Sequence, residues 1–182
     1  LVADVFLPDS GGPHPVLVGL SPYGKEIQAL PVPPQPPTSP VYSREIEAGD
    51  PRYLTTAGYA HVIVDVRGTG KSGGVYRGWM SEDEGRDSYD VIEWAAEQEW
   101  SNGRVGMVGV SYYGAIQLAA AALQPPHLEA IMPLNAPADY YREGSHHGGM
   151  LHGFFDFIYR NFARGNDESE VVSNSSDEEL AE

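Results

Sequence analysis

The amino-acid sequence predicts an α/β fold in which helices flank a mainly parallel β-sheet. Short apolar runs of strand length recur along the chain, and several segments between them have helical spacing. Strands that alternate with helices form βαβ units, which place successive strands parallel in one sheet. With 182 residues and 41% hydrophobic content, the chain is long enough to bury one core.

Five strands are predicted, in chain order. Residues Leu1–Leu7 alternate loosely between apolar and polar, which is typical of an edge strand. The other four segments are short apolar runs that predict buried strands: Pro15–Ser21, His61–Val66, Arg104–Val110 and Glu129–Leu134.

The predicted helices are recognised by their ends and their spacing. Asp50 is a candidate N-cap followed by Pro51 at the first helical position, and Gly58 stands where this helix should end. Three further segments are predicted to be helical: Glu84–Gln98, Tyr112–Leu123 (which is stopped by two prolines) and the aromatic-rich Gly148–Arg164.

Three segments are predicted to lie outside helices and strands. Leu30–Pro40 holds six of the fifteen prolines and predicts an extended surface loop, while Arg67–Gly74 predicts a glycine-rich turn. Residues 166–182 are rich in Ser, Asn, Asp and Glu, a composition that cannot bury a core. We therefore expect a disordered acidic tail over 166–182.

The net charge of −15 is divided between this tail and the remainder of the chain. The tail carries seven acidic and no basic residues, and the first 165 residues carry 19 acidic and 11 basic residues. This balance argues against nucleic acid and against an anionic membrane surface as partners, because both need Lys and Arg. The chain has no cysteine, which excludes disulfides and thiolate metal sites. It has no apolar run long enough to span a membrane, so we expect a soluble protein, with the cytoplasm favoured.

The sequence Gly109-Val110-Ser111-Tyr112-Tyr113-Gly114 carries the main chemical signal. Ser111 falls between a predicted strand and a predicted helix, the context of a nucleophile elbow. Gly109 and Gly114 are small enough to let strand and helix approach, and the Tyr112 N–H is placed to donate to an oxyanion. The usual pattern is G-x-S-x-G, whereas here Tyr113 takes the fifth position. The alternative interpretation is that Ser111 only caps the helix.

Four segments, in the same order, resemble the X-Pro dipeptidyl-peptidase-like (cocaine esterase/NonD) family of α/β-hydrolases. Together the resemblance covers roughly residues 1–160. The four segments are Ser21–Lys25 (P-Y-x-K), Asp65–Gly73 (D-x-R-G-x-G-x-S-G), Asp87–Trp94 (D-x-Y-D-x-I-E-W) and the elbow with the preceding Trp100–Met107. The resemblance implies an α/β-hydrolase fold that is truncated after the start of the cap insertion. Residues 1–140 would be the N-terminal part of the catalytic domain, and residues 141–165 the start of a helical cap.

The resemblance also implies a function. The family splits ester or amide bonds through an acyl-enzyme, here on Ser111, and Tyr23 would supply its hydroxyl as the second oxyanion donor. By itself Tyr23 could equally be a packing aromatic at a strand end. The implied partner is a small ester, amide or peptide substrate, and no cofactor is implied. Four aromatic residues fall where the family inserts its cap and are candidates to line an acyl site: Phe154, Phe155, Phe157 and Tyr159.

The acid and histidine of the triad follow the cap insertion in this family, so no position of the chain matches them. Asp139 is an off-pattern candidate for the acid, with His146 or His147 as an improvised base, although Asp139 also fits a turn cap. Two functions therefore stay open. The chain is either a fragment of a serine hydrolase or an inactive truncated homologue that acts as a ligand- or partner-binding module.

Two other patterns are set aside. Gly68–Gly73 matches G-x-G-x-x-G, but a loop continues after it where a dinucleotide site needs a helix. His146, His147 and His152 form a histidine cluster, but the last two are five residues apart and do not share one helical face. No metal site is predicted.

Overall fold

A computed structural model describes residues 1–26 and 47–162, apart from the side chains of residues 159 and 162. Five strands form one sheet in the order β1-β3-β2-β4-β5. Their bounds are β1 (Val2–Phe6), β2 (His14–Ser21), β3 (Ala60–Asp65), β4 (Ser101–Val110) and β5 (Leu128–Leu134). The edge strand β1 is antiparallel to β3, and all other pairs are parallel. The predicted mainly parallel sheet is confirmed. The predicted loop Leu30–Pro40 and the predicted tail 166–182 lie outside the described residues.

Three helices connect these strands: α1 (Pro51–Thr56), α2 (Glu82–Ala96) and α3 (Tyr112–Ala122). The side chain of Asp50 caps α1 by accepting a hydrogen bond from the Arg52 N–H at 2.9 Å. Helix α2 begins two residues before the predicted start, because the Ser81 N–H donates to Glu84 Oε2 at 2.9 Å and closes the first turn. Within the described residues, we find no helix that is both long enough and apolar enough to cross a membrane.

The main core lies between one face of the sheet and helices α2 and α3. It contains valines of β2, β3 and β4 together with Ile92 of α2 and Ile116 of α3. A smaller cluster on the opposite face joins Ile63 of β3 to Ala48 and Tyr113. The central strands are thus covered on both faces, which explains their continuous apolar runs.

Strand β5 differs from its prediction as a buried strand. Met132 is 44% exposed and Leu134 is 36% exposed. In the described part of the chain β5 pairs only with β4 and forms the outer strand of the sheet, so much of its surface is uncovered.

The predicted helix over Gly148–Arg164 is wrong in its first residues. A π-helical turn (Tyr140–Ser145) is followed by a hairpin of β6 (His146–His147) and β7 (Met150–Leu151), and α4 begins only at residue 153 (Gly153–Phe162). Gly148 and Gly149 have φ values of 64° and 85°, which a two-residue hairpin turn requires and a helix does not allow.

Candidate active site

Ser111 stands at the junction of β4 and α3 in a strained conformation. Its φ of 60° and ψ of −118° lie in a region that residues other than glycine rarely adopt. The conformation is fixed from both sides, because the Ser111 N–H donates to the Leu134 carbonyl at 3.0 Å and the Ser111 carbonyl accepts from the Ala115 N–H at 2.9 Å. In the described structure the Ser111 hydroxyl does not cap the helix.

The two elbow glycines lie where a side chain would collide with neighbouring atoms. A Cβ on Gly109 would stand 2.2 Å from the Cβ of Tyr113, and one on Gly114 would stand 2.8 Å from the Leu134 carbonyl oxygen. Tyr113 at the fifth position is accommodated by a third glycine, Gly19 of β2, whose missing side chain leaves room for the ring. The close approach of β4, β5 and α3 thus depends on glycine.

Tyr112 and Tyr23 supply two candidate hydrogen-bond donors near Ser111. Tyr112 is the first residue of α3, so its N–H has no acceptor within the helix and lies at the positive end of the helix dipole. The Tyr23 hydroxyl lies close to the Ser111 side chain, which acts to lower the pKa of Tyr23. Burial, followed by the nearby Glu47, raises the pKa of Tyr23 well above its usual value. The phenol stays protonated at neutral pH and can donate to an oxygen that gains negative charge.

The turn that carries Tyr23 is held by the buried carboxylate of Asp65. Asp65 Oδ1 accepts from the Lys25 N–H at 2.5 Å, and Oδ2 accepts from the Lys71 N–H at 3.2 Å. Gly70 lies against this carboxylate, since a Cβ there would stand 2.2 Å from Oδ2. The segments Ser21–Lys25 and Asp65–Gly73 therefore form one structural unit that positions the Tyr23 hydroxyl.

The Tyr112 side chain is fixed beneath the site by a buried carboxyl group. Its hydroxyl donates to Glu84 Oε1 at 2.5 Å, and both residues are fully buried. The ring lies against Trp79 and Tyr23, with centroid separations of 5.3 Å and 5.7 Å. Burial raises the pKa of Glu84 to about 7, although the hydrogen bond from Tyr112 acts in the opposite direction.

Glu47 is a residue of the site that the sequence analysis did not identify. Its carbonyl accepts from the Val110 N–H at 3.0 Å, which ties it to the strand that ends at Ser111. Its carboxyl group lies close to the Ser111 side chain, and burial raises its pKa to about 7. The only hint in the sequence is an acidic residue shortly before the predicted helix cap Asp50, which is too common a pattern to single out.

These groups open into a cleft of about 660 Å³. Ser111, Tyr23 and Glu47 lie on its wall, and residues 135–158 supply much of the remainder. Trp79 and Phe155 stack at 4.8 Å, and Tyr140 meets Phe155 edge to face at 5.8 Å. Of the four predicted aromatic candidates, Phe154 and Phe155 line the cleft and Phe157 is 53% exposed, while the side chain of Tyr159 lies outside the described residues.

The structure does not join the candidate acid Asp139 to either candidate base, His146 or His147. The carboxylate of Asp139 accepts from the backbone N–H and the guanidinium of Arg142 at 3.0 and 3.2 Å, which makes it the cap of the π-helical turn. The His146 ring stacks on Tyr141 with its Nδ1 on the Ser145 hydroxyl. His147 lines the cleft, but its Nε2 bonds to the Glu143 carbonyl at 2.6 Å. No hydrogen bond joins Asp139 to either histidine in the described structure, nor does one join a described histidine to Ser111.

The third histidine of the cluster, His152, also lines the cleft, and its ring lies 4.9 Å from that of His147. Within residues 1–26 and 47–162, no group of three or more His, Asp or Glu side chains is arranged to hold a metal ion.

Comparisons with known proteins show the family of the chain. The family model described as X-Pro dipeptidyl-peptidase (S15 family) matches residues 1–170. Cocaine esterase from Rhodococcus sp. (strain MB1 Bresler) is 36% identical over 142 residues, which cover 78% of this chain and 22% of that protein. Xaa-Pro dipeptidyl-peptidase from Ligilactobacillus salivarius (strain UCC118) is 36% identical over 110 residues, or 50% of this chain and 14% of that protein.

Among solved structures, a CocE/NonD family hydrolase from Staphylococcus aureus superposes with a TM-score of 0.76 at 36% identity. The match covers 92% of this chain and 31% of that one. It confirms the predicted α/β-hydrolase fold. The chain spans less than a third of the length of each of these three relatives.

Proposed function

The chain belongs to the X-Pro dipeptidyl-peptidase (S15) family of hydrolases, and from this premise we propose that the whole protein cleaves an ester or amide bond through an acyl-enzyme on Ser111. The observation that carries the proposal is the strained Ser111 turn at the start of α3, with the Tyr23 hydroxyl close to the Ser111 side chain on the same cleft. Strain at a polar residue with such neighbours is typical of a functional site.

In the proposed reaction, the Ser111 hydroxyl oxygen attacks the substrate carbonyl carbon. The carbonyl oxygen becomes negatively charged and accepts hydrogen bonds from the Tyr112 N–H and the Tyr23 hydroxyl. The C–O or C–N bond to the leaving group then breaks, the leaving alcohol or amine takes a proton, and water later releases the acyl group from Ser111. Both donors are fixed before substrate arrives, Tyr112 by Glu84 and Tyr23 by the turn around Asp65.

The proton of Ser111 must pass to a base. Since Asp139, His146 and His147 are engaged elsewhere, we assign the histidine and its carboxylate to the parts of the whole protein that this chain does not include. The relatives are long enough to contain them. In this account the 182-residue chain alone is an inactive fragment of a serine hydrolase.

The second candidate is an inactive truncated homologue that binds a ligand or partner in the same cleft. It is favoured by one observation: in the described structure, no hydrogen bond joins a histidine to Ser111. The cleft would then be a binding site without turnover.

Hydrolysis of a p-nitrophenyl ester by the whole protein tests the first proposal. We expect Ser111→Ala to abolish turnover, and Tyr23→Phe to lower kcat about 10²–10³-fold with KM little changed, since the lost donor acts on the transition state. Asn161→Ala, on the exposed end of α4, is the control and should leave kcat unchanged. Turnover that survives Ser111→Ala would refute the assignment, and an unchanged kcat in Tyr23→Phe would refute the role of Tyr23.

A further inference from the structure

Lys25 is a buried lysine whose side chain the proposed reaction does not use. That side chain is only 6% exposed, and its ammonium group lies 2.9 Å from Asp4 Oδ1 and 3.0 Å from Asp4 Oδ2. Glu26 Oε1 lies 3.4 Å from the same ammonium group. The hydrogen bond to Asp4 raises the pKa of Lys25, so the group stays charged at neutral pH. Because a buried charge is costly unless it is paired, the position of Lys25 depends on Asp4.

The ion pair joins two separate parts of the fold. Asp4 lies on the edge strand β1, opposite Ile63 of β3, whereas Lys25 follows the end of β2. Lys25 is also held through its backbone, because its N–H donates to Asp65 Oδ1 at the end of β3. The residue is therefore fixed at two points, with its backbone bound to β3 and its side chain bound to β1.

Tyr23 lies on the short turn between Ser21 and Lys25. At the first end of this turn, the Tyr23 N–H donates to Ser21 Oγ at 3.3 Å, and the Ser21 carbonyl accepts from the Val66 N–H at 3.2 Å. Gly24 stands between Tyr23 and Lys25 with a φ of 86°, and a Cβ placed on it would meet nothing within 4 Å. Packing around Gly24 therefore does not hold the turn, and its position depends on its two ends.

The ring contacts of Tyr23 are less restrictive than these ends. Its ring meets Trp79 and Tyr112 edge to face, with centroid separations of 6.2 and 5.7 Å. Ring pairs of this kind are favourable over a range of separations, about 4.5–7 Å. A donor to an oxyanion must instead lie about 2.7–3.1 Å from the oxygen. The anchoring of the turn is therefore needed to place the Tyr23 hydroxyl within so narrow a range.

We propose that Lys25 is a positioning residue for the Tyr23 hydroxyl, and that its ion pair with Asp4 fixes the Tyr23 turn to the edge strand of the sheet. Lys25 acts through Tyr23 and does not touch the substrate, since it is not among the described residues that line the cleft. The inference rests on the proposed function for the role of the hydroxyl. The anchoring of the turn itself does not depend on catalysis.

Hydrolysis of a p-nitrophenyl ester by the whole protein tests the catalytic consequence. Lys25→Met keeps an unbranched side chain without the ammonium group, and we expect it to lower kcat about 10–10²-fold with KM little changed, because small misplacements are costly. In a Tyr23→Phe background the same change should not lower kcat further, since the hydroxyl that it positions is already absent. Arg104→Met, an equal change of net charge at an exposed ion pair near the start of β4, is the control and should leave kcat unchanged in both backgrounds.

Asp4→Asn tests the ion pair from its other side and decides the question if Lys25→Met does not fold. It should lower kcat less than Lys25→Met does, because Glu26 still contacts the ammonium group, and this loss should also vanish in the Tyr23→Phe background. An unchanged kcat in the folded variants would overturn the inference. So would a loss of equal size with and without the Tyr23 hydroxyl, because it would show a general structural effect.

A readout without turnover separates this inference from the proposed function. In the 182-residue chain labelled with 3-fluorotyrosine, the fluorine NMR signal of Tyr23 is identified by its absence in Tyr23→Phe. We expect Lys25→Met to shift or broaden this signal and Arg104→Met to leave it unchanged. A Tyr23 signal that is the same in Lys25→Met and wild type would contradict the anchoring. If the whole protein does not hydrolyse the ester while the signal responds to Lys25→Met, the anchoring stands and the hydrolase assignment falls.

Discussion

Alanine at Gly114 should destabilise the protein, whereas alanine at Gly85 should stabilise it. Both glycines lie in the first turns of helices, α3 and α2 respectively, where alanine is intrinsically favoured by about 0.5–1 kcal/mol. The difference is in their surroundings. A Cβ on Gly85 would lie 3.6 Å from its nearest neighbour, a methyl group of Leu123, which is an ordinary contact.

At Gly114 the added Cβ would lie 2.8 Å from the Leu134 carbonyl oxygen and 3.1 Å from the Cβ of Ala136. The oxygen is backbone of β5, so relief requires α3 to move away from the sheet. Such overpacking costs about 1–3 kcal/mol. After the helix preference is subtracted, we expect Gly114→Ala to lose about 0.5–2 kcal/mol and Gly85→Ala to gain about 0.5–1 kcal/mol in free energy of unfolding.

Urea unfolding followed by far-UV circular dichroism measures both changes. The corresponding shifts in Tm are about 2–4 °C for each kcal/mol in a chain of this size. If Gly114→Ala unfolds at the same urea concentration as wild type, the close approach of α3 and β5 is not a constraint. A loss of stability in Gly85→Ala equal to that in Gly114→Ala would mean that the elbow has no special requirement for glycine.

Two further predictions concern the groups that position the site. The pKa of Glu84 is about 7 in the folded protein and 4.5 in the unfolded chain. Between pH 4.5 and 7 the folded state therefore binds more protons than the unfolded state, so the free energy of unfolding should fall as pH rises through this range. Glu84→Gln keeps an acceptor for the Tyr112 hydroxyl and should reduce this pH-dependent fall in the free energy of unfolding by about 3 kcal/mol, measured by urea unfolding at several pH values. An unchanged dependence on pH would contradict the raised pKa of Glu84. Gly70 has a φ of 51°, and a Cβ there would collide with the Asp65 carboxylate. We therefore expect Gly70→Ala to lower the free energy of unfolding by more than about 2 kcal/mol. Gly24→Ala, with φ of 86° and open space, should lose only about 1–2 kcal/mol, and equal losses would refute the role of the collision.

The sequence was sufficient to predict the central strands and the elbow, because their signals are local. Strands β2 and β3 carry apolar residues on both faces since both faces are covered, and Ser111 follows directly on a strand and precedes a helix. The roles of the flanking motifs are visible only in three dimensions. Asp65, for instance, acts on Lys25, which is 40 positions away in the chain.

The predictions are wrong where contacts with distant parts of the chain, rather than the local sequence, determine the structure. Strand β5 has an apolar sequence like the buried strands, but its exposure depends on its place in the sheet order. The strands of the β6–β7 hairpin have two residues each, too few to show a period of alternation. Glu47 reaches the site through a backbone contact with Val110, and a single acidic residue gives no local sign of such a contact.

The most direct test of the central claim is the mass of the protein after reaction with a fluorophosphonate. Such a probe forms a covalent bond with an activated serine. In the whole protein we predict a single adduct, mapped by peptide mass spectrometry to Ser111, that is absent in Ser111→Ala. The 182-residue chain alone should react far more slowly, because no hydrogen bond joins a histidine to Ser111 in the described structure. An adduct at another residue of the whole protein, or none at all, would contradict the account.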